Sequence, residues 1–157
     1  MIKKNPPVLL MFTLLFGINS CKDDYTICNL PKTVNLIAGF YRHSGGVDVP
    51  TPAPSLSLFL LNGTSPVYSN NMNALTFTLP LNPVVNSAKY VISVSASQSD
   101  TLTIVYTSQN TNLSAECGNV YYNNISAFYT TTHTLDSVKI LRPAINTDQV
   151  ENVRIYF

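Results

Sequence analysis

The side chains here best suited to chemistry are three cysteines, Cys21, Cys28 and Cys117, and two histidines, His43 and His133. A thiolate can attack a carbonyl or hold a metal, and an imidazole moves protons near neutral pH. Their spacing supports little of this. Neither histidine stands at ligand spacing to a cysteine, so no metal site is expected. His43, beside Gly45-Gly46, reads as a loop residue, and a lone histidine without a partner is no catalyst. No Gly-x-Ser-x-Gly elbow occurs, and only eight acidic residues are present. No catalytic residue and no cofactor is expected.

The cysteines read differently. Residues 1–20 have the layout of a secretory signal, with Lys3 and Lys4 followed by an apolar run from Val8 to Ile18. That run is too short for a membrane span, which needs about 20 apolar residues. It closes on Ile18-Asn19-Ser20-Cys21, which resembles a bacterial lipobox. The resemblance implies lipidation of the Cys21 thiol and cleavage before it, so that the membrane is a partner through a lipid anchor. Lys22, Asp23 and Asp24 follow at once and look like the export tag of surface lipoproteins in Bacteroidota. The other reading of these three is a solvated charged tether.

Cys28 and Cys117 then remain. An exported compartment permits disulfides, and two leftover thiols in a secreted domain pair more often than not. A bridge between them would close a loop of about 90 residues and stabilise the fold by roughly 4–5 kcal/mol in the chain-entropy model. It would pin the start of the domain to its core. A catalytic thiol paired with histidine is the alternative. Between Cys21 and Cys28 the chain spans at most roughly 25 Å, so the domain would sit close to the membrane.

The remainder must be a folded body. The chain has 157 residues, 45% hydrophobic and 11% charged, with a net charge of +1. Its polar surface comes from Ser, Thr and Asn rather than from ions. The nine Lys and Arg are scattered, which argues against nucleic acid, whose binding needs clustered cations.

Period-two alternation recurs after Cys28: Val34/Leu36/Ala38/Phe40, Leu56/Leu58/Leu60, Leu75/Phe77/Leu79, Tyr90/Ile92/Val94, Leu102/Ile104/Tyr106 and Val153/Ile155/Phe157. Turn signals such as "SGG", "PTPAP" and "NPVVN" stand between them, and "VPTPAP" reads as a crossing loop. Residues 114–141 add two or three more strands. The expectation is an all-β chain: a single antiparallel β-sandwich of about eight strands, immunoglobulin-like or similar, over residues 28–157. Residues 1–20 form the signal and residues 21–27 the lipidated tether. A membrane barrel needs longer strands and is disfavoured.

"DDYTIC", "VNLIAGFYR", "LPLNP", "DTLTIVYTSQNTNLSAECG" and the closing "VRIYF" together resemble a family of small Bacteroidota lipoproteins of unknown function. The resemblance implies an anchored, β-rich, exported protein and supplies no catalytic residues.

Other sites are weaker. Asp100-Thr101-Leu102 and Asp136-Ser137-Val138 match an O-glycosylation pattern, which makes Thr101 and Ser137 acceptor candidates if they sit on surface turns. Tyr121, Tyr122, Phe128 and Tyr129 are a candidate aromatic ligand surface, with core packing as the other reading. The sequence therefore favours a lipid-anchored binding or scaffolding module at the outer membrane, facing outward. Its partner would be an envelope protein or a glycan. A hydrolase of unrecognised type and a purely structural envelope component are the alternatives.

Overall fold

The computed structural model describes residues 28–31, 33–96 and 98–157. The signal, Cys21 and the Lys22–Asp24 tag lie outside them. Among the described residues the chain is all-β, with eleven strands in two sheets and no helix.

The first sheet is mixed. Its central strands are β1 (Leu36–Ser44) and β11 (Val153–Tyr156), which run parallel, with Ala38 beside Val153 and Tyr41 beside Tyr156. β9 (Ser137–Ile140) lies antiparallel on the far side of β11. The other edge of β1 is shared by β5 (Thr76–Leu79), on its first half, and β2 (Val47–Pro50), on its second. The second sheet is antiparallel. Its order is β10 (Ala144–Ile145), β8 (Gly118–Thr130), β7 (Asp100–Ser114), β6 (Ser87–Ser93), β3 (Ala53–Leu60), β4 (Pro66–Ala74).

An all-antiparallel body was expected, and the β1–β11 pair departs from it. The first and last strands are neighbours, and alternation within a strand carries no information about the direction of its partner. The count of eight also falls short. β9 and β10 are short, and β4 is a polar edge strand that never alternates. By contrast, the Pro50–Ala53 stretch does carry the chain from one sheet to the other.

Alternation sorts the side chains as period two demands. Leu36, Ala38 and Phe40 of the mixed sheet and Leu56, Leu58, Ile92, Leu102 and Ile104 of the antiparallel sheet belong to one buried cluster. Phe40 stacks on Phe77 at 4.9 Å and meets Phe157 edge-on at 5.6 Å. Leu60 and Leu75, expected inside, are exposed.

Among the described residues three polar ones are buried, and each is satisfied. Asn152 accepts from the Ile37 amide at 3.0 Å and donates to the carbonyls of Arg142 and Ala144, so one side chain fixes β11 and the loop before it against β1. Asn123 accepts from Ser108 across the β7–β8 pair. The Asp100 carboxylate accepts from the amides of His133, Thr134 and Leu135 and from the Thr131 hydroxyl, with the His133 ring 3.1 Å away. Burial pushes this carboxyl up, but those donors outweigh it and hold it well below the usual carboxylate range.

Register gives the molecule two ends. β6 pairs with β7 only as far as Val105, while β7 and β8 stay paired out to Ser114 and Gly118. β10 still flanks β8 at Asn123–Asn124, and from Gln109 a two-stranded ribbon runs on for about six residues, or about 20 Å. The Cys28–Cys117 disulfide closes at its tip. The bridge thus forms as expected, but it ties the chain to the ribbon tip and not to the core. The loops 61–65 and 80–86 lie at this same end, because Leu61 bonds to Lys89 and Asn86 to Tyr106. β1 starts here, beside Leu79, and runs away to the Gly45-Gly46 turn at the opposite end. Both glycines have positive φ, which this two-residue hairpin requires.

Candidate functional site

Along β11 the inward residues are Val153 and Ile155, so Arg154 and Tyr156 point out. Across the sheet, Arg154 stands beside Lys139 and Gly39, and Tyr156 beside Ser137 and Tyr41. On β2, Asp48 stands opposite His43. The outer face of the mixed sheet thus collects Tyr41, His43, Asp48, Lys139, Arg154 and Tyr156 from four strands.

These groups form one network. Arg154 Nη1 donates to Asp48 Oδ2 at 2.8 Å, and its Nε donates to Glu151 Oε1 at 3.1 Å. Tyr156 donates to the same Asp48 oxygen at 2.9 Å, and Tyr41 donates to Glu151 Oε2 at 2.9 Å. His43 Nδ1 lies 3.1 Å from Asp48 Oδ1. The Arg154 guanidinium also sits over the Tyr41 ring at 4.4 Å from its centroid. Gly39 makes room for this: a Cβ there would overlap the Glu151 carboxylate and come within 2.8 Å of the Tyr41 ring.

The electrostatics follow from the bonds. The His43 ring and the Tyr156 hydroxyl, aided by Arg154, hold the Asp48 carboxyl down at about 2, against an opposing effect of desolvation. Glu151, then Asp48, push the Arg154 guanidinium further up. Burial, then Glu151, raises Tyr41, and burial, then Asp48, raises Tyr156. Near neutral pH Asp48 therefore stays ionised, Arg154 stays charged, and Tyr41 and Tyr156 keep their hydroxyl protons. The network presents fixed charge and fixed donors, the kind of surface that orients a polar ligand.

Beside it opens a groove of about 580 Å³, lined by Arg42, His43, Asp48, Asp136, Ser137, Lys139, Tyr156 and Phe157. Lys139 and Ser137 are exposed there, free to meet a ligand. Among the described residues no group of three His, Cys, Asp or Glu is placed to hold a metal ion.

The structure places the sequence candidates unevenly. Ser137 is exposed on β9 and lines the groove. Thr101 is half-buried in β7, its amide bonded to the Thr131 hydroxyl, behind an Asp100 wholly engaged with the 131–135 turn. The four aromatic candidates do not share a surface. Phe128 is buried in the core, Tyr122 packs against it and bonds Thr147, and only Tyr121 and Tyr129 are exposed. Neighbours along a strand point to opposite faces, so the pairs 121/122 and 128/129 were bound to split. His43, expected in a loop without a partner, ends β1 and meets Asp48. The network residues were missed, although outward Arg154 and Tyr156 between inward Val153 and Ile155 were a signal that β11 has a polar face.

Residues 55–157 match the sequence profile of a family of unknown function, DUF6452. The chain belongs to that family. The DUF6452 match takes in Glu151, Arg154, Tyr156 and the Ser137–Lys139 edge, while Tyr41, His43 and Asp48 precede it. No curated protein and no solved structure matches the chain.

Proposed function

We propose that this DUF6452 protein is a lipid-anchored, non-catalytic binding module of the cell envelope. Its body is a two-sheet sandwich, and its binding surface is the groove on the outer face of the mixed sheet. The observation that carries this reading is the Asp48–Arg154–Glu151 network, with its two tyrosines and His43. Both carboxylates are engaged by cations and hydroxyls, and Asp48 stays ionised far below neutral pH. Such groups suit recognition better than proton transfer, which needs a group titrating near the working pH.

The partner is a polar one, an envelope protein or an extracellular glycan. Ser137 offers a hydroxyl, and Lys139 and Arg42 positive charge, around a groove floor that includes the buried Tyr156. The Cys21 lipid is the anchor, and the Lys22-Asp23-Asp24 tag directs the domain to the outer surface of the outer membrane. The lipobox-like sequence and the extracytoplasmic chemistry of a Cys28–Cys117 disulfide support the anchor.

In-cell crosslinking tests the surface. A photo-reactive amino acid at Lys139 should capture a specific neighbour, identified by mass spectrometry, and the same residue at Tyr129 should not. Equal capture at both positions, or capture at Tyr129 alone, would sink the groove as the binding face. Radioactive palmitate should label the wild type and not Cys21→Ala.

A further inference from the structure

A second groove, of about 900 Å³, opens at the ribbon end between the 61–65 and 80–86 loops. Leu60, Leu61, Val84 and Val85 are exposed on or beside it, and Val84 is 87% exposed. Exposed aliphatic side chains gathered on adjacent loops mark an interaction surface. The loops are well held. Tyr90 and Tyr106 are buried, and their hydroxyls donate to the carbonyls of Pro80 and Asn82. Asn82 in turn accepts from the Val84 amide at 3.0 Å, which fixes the turn that presents Val84.

Two further observations say what covers this surface. First, the described chain enters at this end. Cys28 is bridged to Cys117 at the ribbon tip, and only six residues separate it from Cys21. That segment spans at most roughly 25 Å. A domain tethered there keeps the ribbon tip within that reach of the surface that holds Cys21, and a ribbon laid flat brings the groove at its base down to the same surface. Secondly, the charge is complementary to lipid. No Asp or Glu lines the groove, and its one cation is Lys89. The groove at the other end, by contrast, carries two carboxylates, Asp48 and Asp136, beside Arg42 and Lys139. Aliphatic side chains with a rim lysine match acyl chains below a layer of phosphates.

We propose that the ribbon end is a membrane-contact surface, with the ribbon laid along the bilayer, Leu61 and Val84 dipping into the headgroup–acyl boundary and Lys89 at the phosphates. The charged groove then faces away from the membrane, open to a partner. This inference rests on the lipid-anchor reading, and its test separates the two.

The sequence contains no tryptophan, so one introduced residue reports alone. V84W and K139W chains are expressed in full, purified from the membrane fraction and reconstituted in phosphatidylethanolamine–phosphatidylglycerol vesicles carrying brominated acyl chains. Palmitate labelling is measured on the same samples. The expected result is a labelled chain in which V84W emission shifts to the blue and is quenched by the brominated lipid, while K139W is not quenched. A labelled chain with V84W unquenched overturns the contact and leaves the anchor standing. Quenching of K139W instead means the opposite face is down and overturns it too. A blue shift without quenching, accompanied by a doubled mass, assigns the surface to a second copy of the chain. An unlabelled chain that leaves V84W unquenched removes the anchor and the inference together.

Discussion

The two ends of the molecule are built from different strands with opposite chemistry. At the hairpin end, Asp48, Arg154, Glu151 and two tyrosines hold one another in a network open to solvent. At the ribbon end, aliphatic side chains are exposed, and a covalent bridge between Cys28 and Cys117 does the fastening. The difference shows how a chain with 11% charge divides its resources. Where few ions are present they are concentrated on one face, and the other end is fixed by a disulfide and by buried tyrosines.

The largest expected effect tests the ribbon end. Cys28→Ser should lower stability by roughly 4–5 kcal/mol, the cost of releasing a loop of about 90 residues. Urea unfolding measures it. Hydrogen exchange should quicken in the ribbon while β1 and β11 stay protected; uniform quickening would mean that the bridge supports the whole body.

The next effect concerns a carboxylate at the hairpin end that is structural and not part of the groove. Asp100→Ala leaves the His133, Thr134 and Leu135 amides without their acceptor and should cost about 3 kcal/mol. The sign of its pH dependence is set by its depressed folded-state pKa. Its contribution is complete above the unfolded value near 3.9 and is lost as pH falls below it. Wild-type stability should therefore drop below about pH 4, and the Asp100→Ala chain should show less of that drop.

Gly39→Ala should cost about 1 kcal/mol, since the atoms it meets are the far ends of Glu151 and Tyr41, which can swing aside. Its use is to separate binding from folding: crosslinking at Lys139 should fall while the thermal midpoint drops by only about 3–5 °C and the chain stays folded. Retained crosslinking would show that the Glu151 side of the network is dispensable. The smallest effect is on one titration. The Asp48 carboxyl, followed by carbon-13 NMR, should titrate at about 2 and move up in Tyr156→Phe. An unmoved Asp48 would leave His43 and Arg154 as its whole support.

Much of the fold was legible in the sequence, because burial follows period two strand by strand. Leu56 and Leu58, Tyr90 and Ile92, and Leu102, Ile104 and Tyr106 all fall inside as their alternation requires. The disulfide was legible because reading Cys21 as a lipid-attachment site leaves Cys28 and Cys117 to pair. The candidate site was not. Tyr41 and Glu151 are 110 positions apart, and Asp48 and Arg154 are 106 apart. Local spacing is blind to such pairs.

What the sequence determined by itself is therefore local: a β-rich chain, the faces of most of its strands, and its turns. Only the tertiary structure decided the rest. Setting β11 parallel to β1 brought Arg154 across from Gly39 and within reach of Asp48, and it joined the chain's two extremities into one polar face. The pairing of β7 with β8 past the end of β6 put Cys117 on a ribbon tip. The physical reason is that side-chain alternation is set within one strand by backbone geometry. Which strands become neighbours, and in which direction, is set by the packing of two whole sheets around one core.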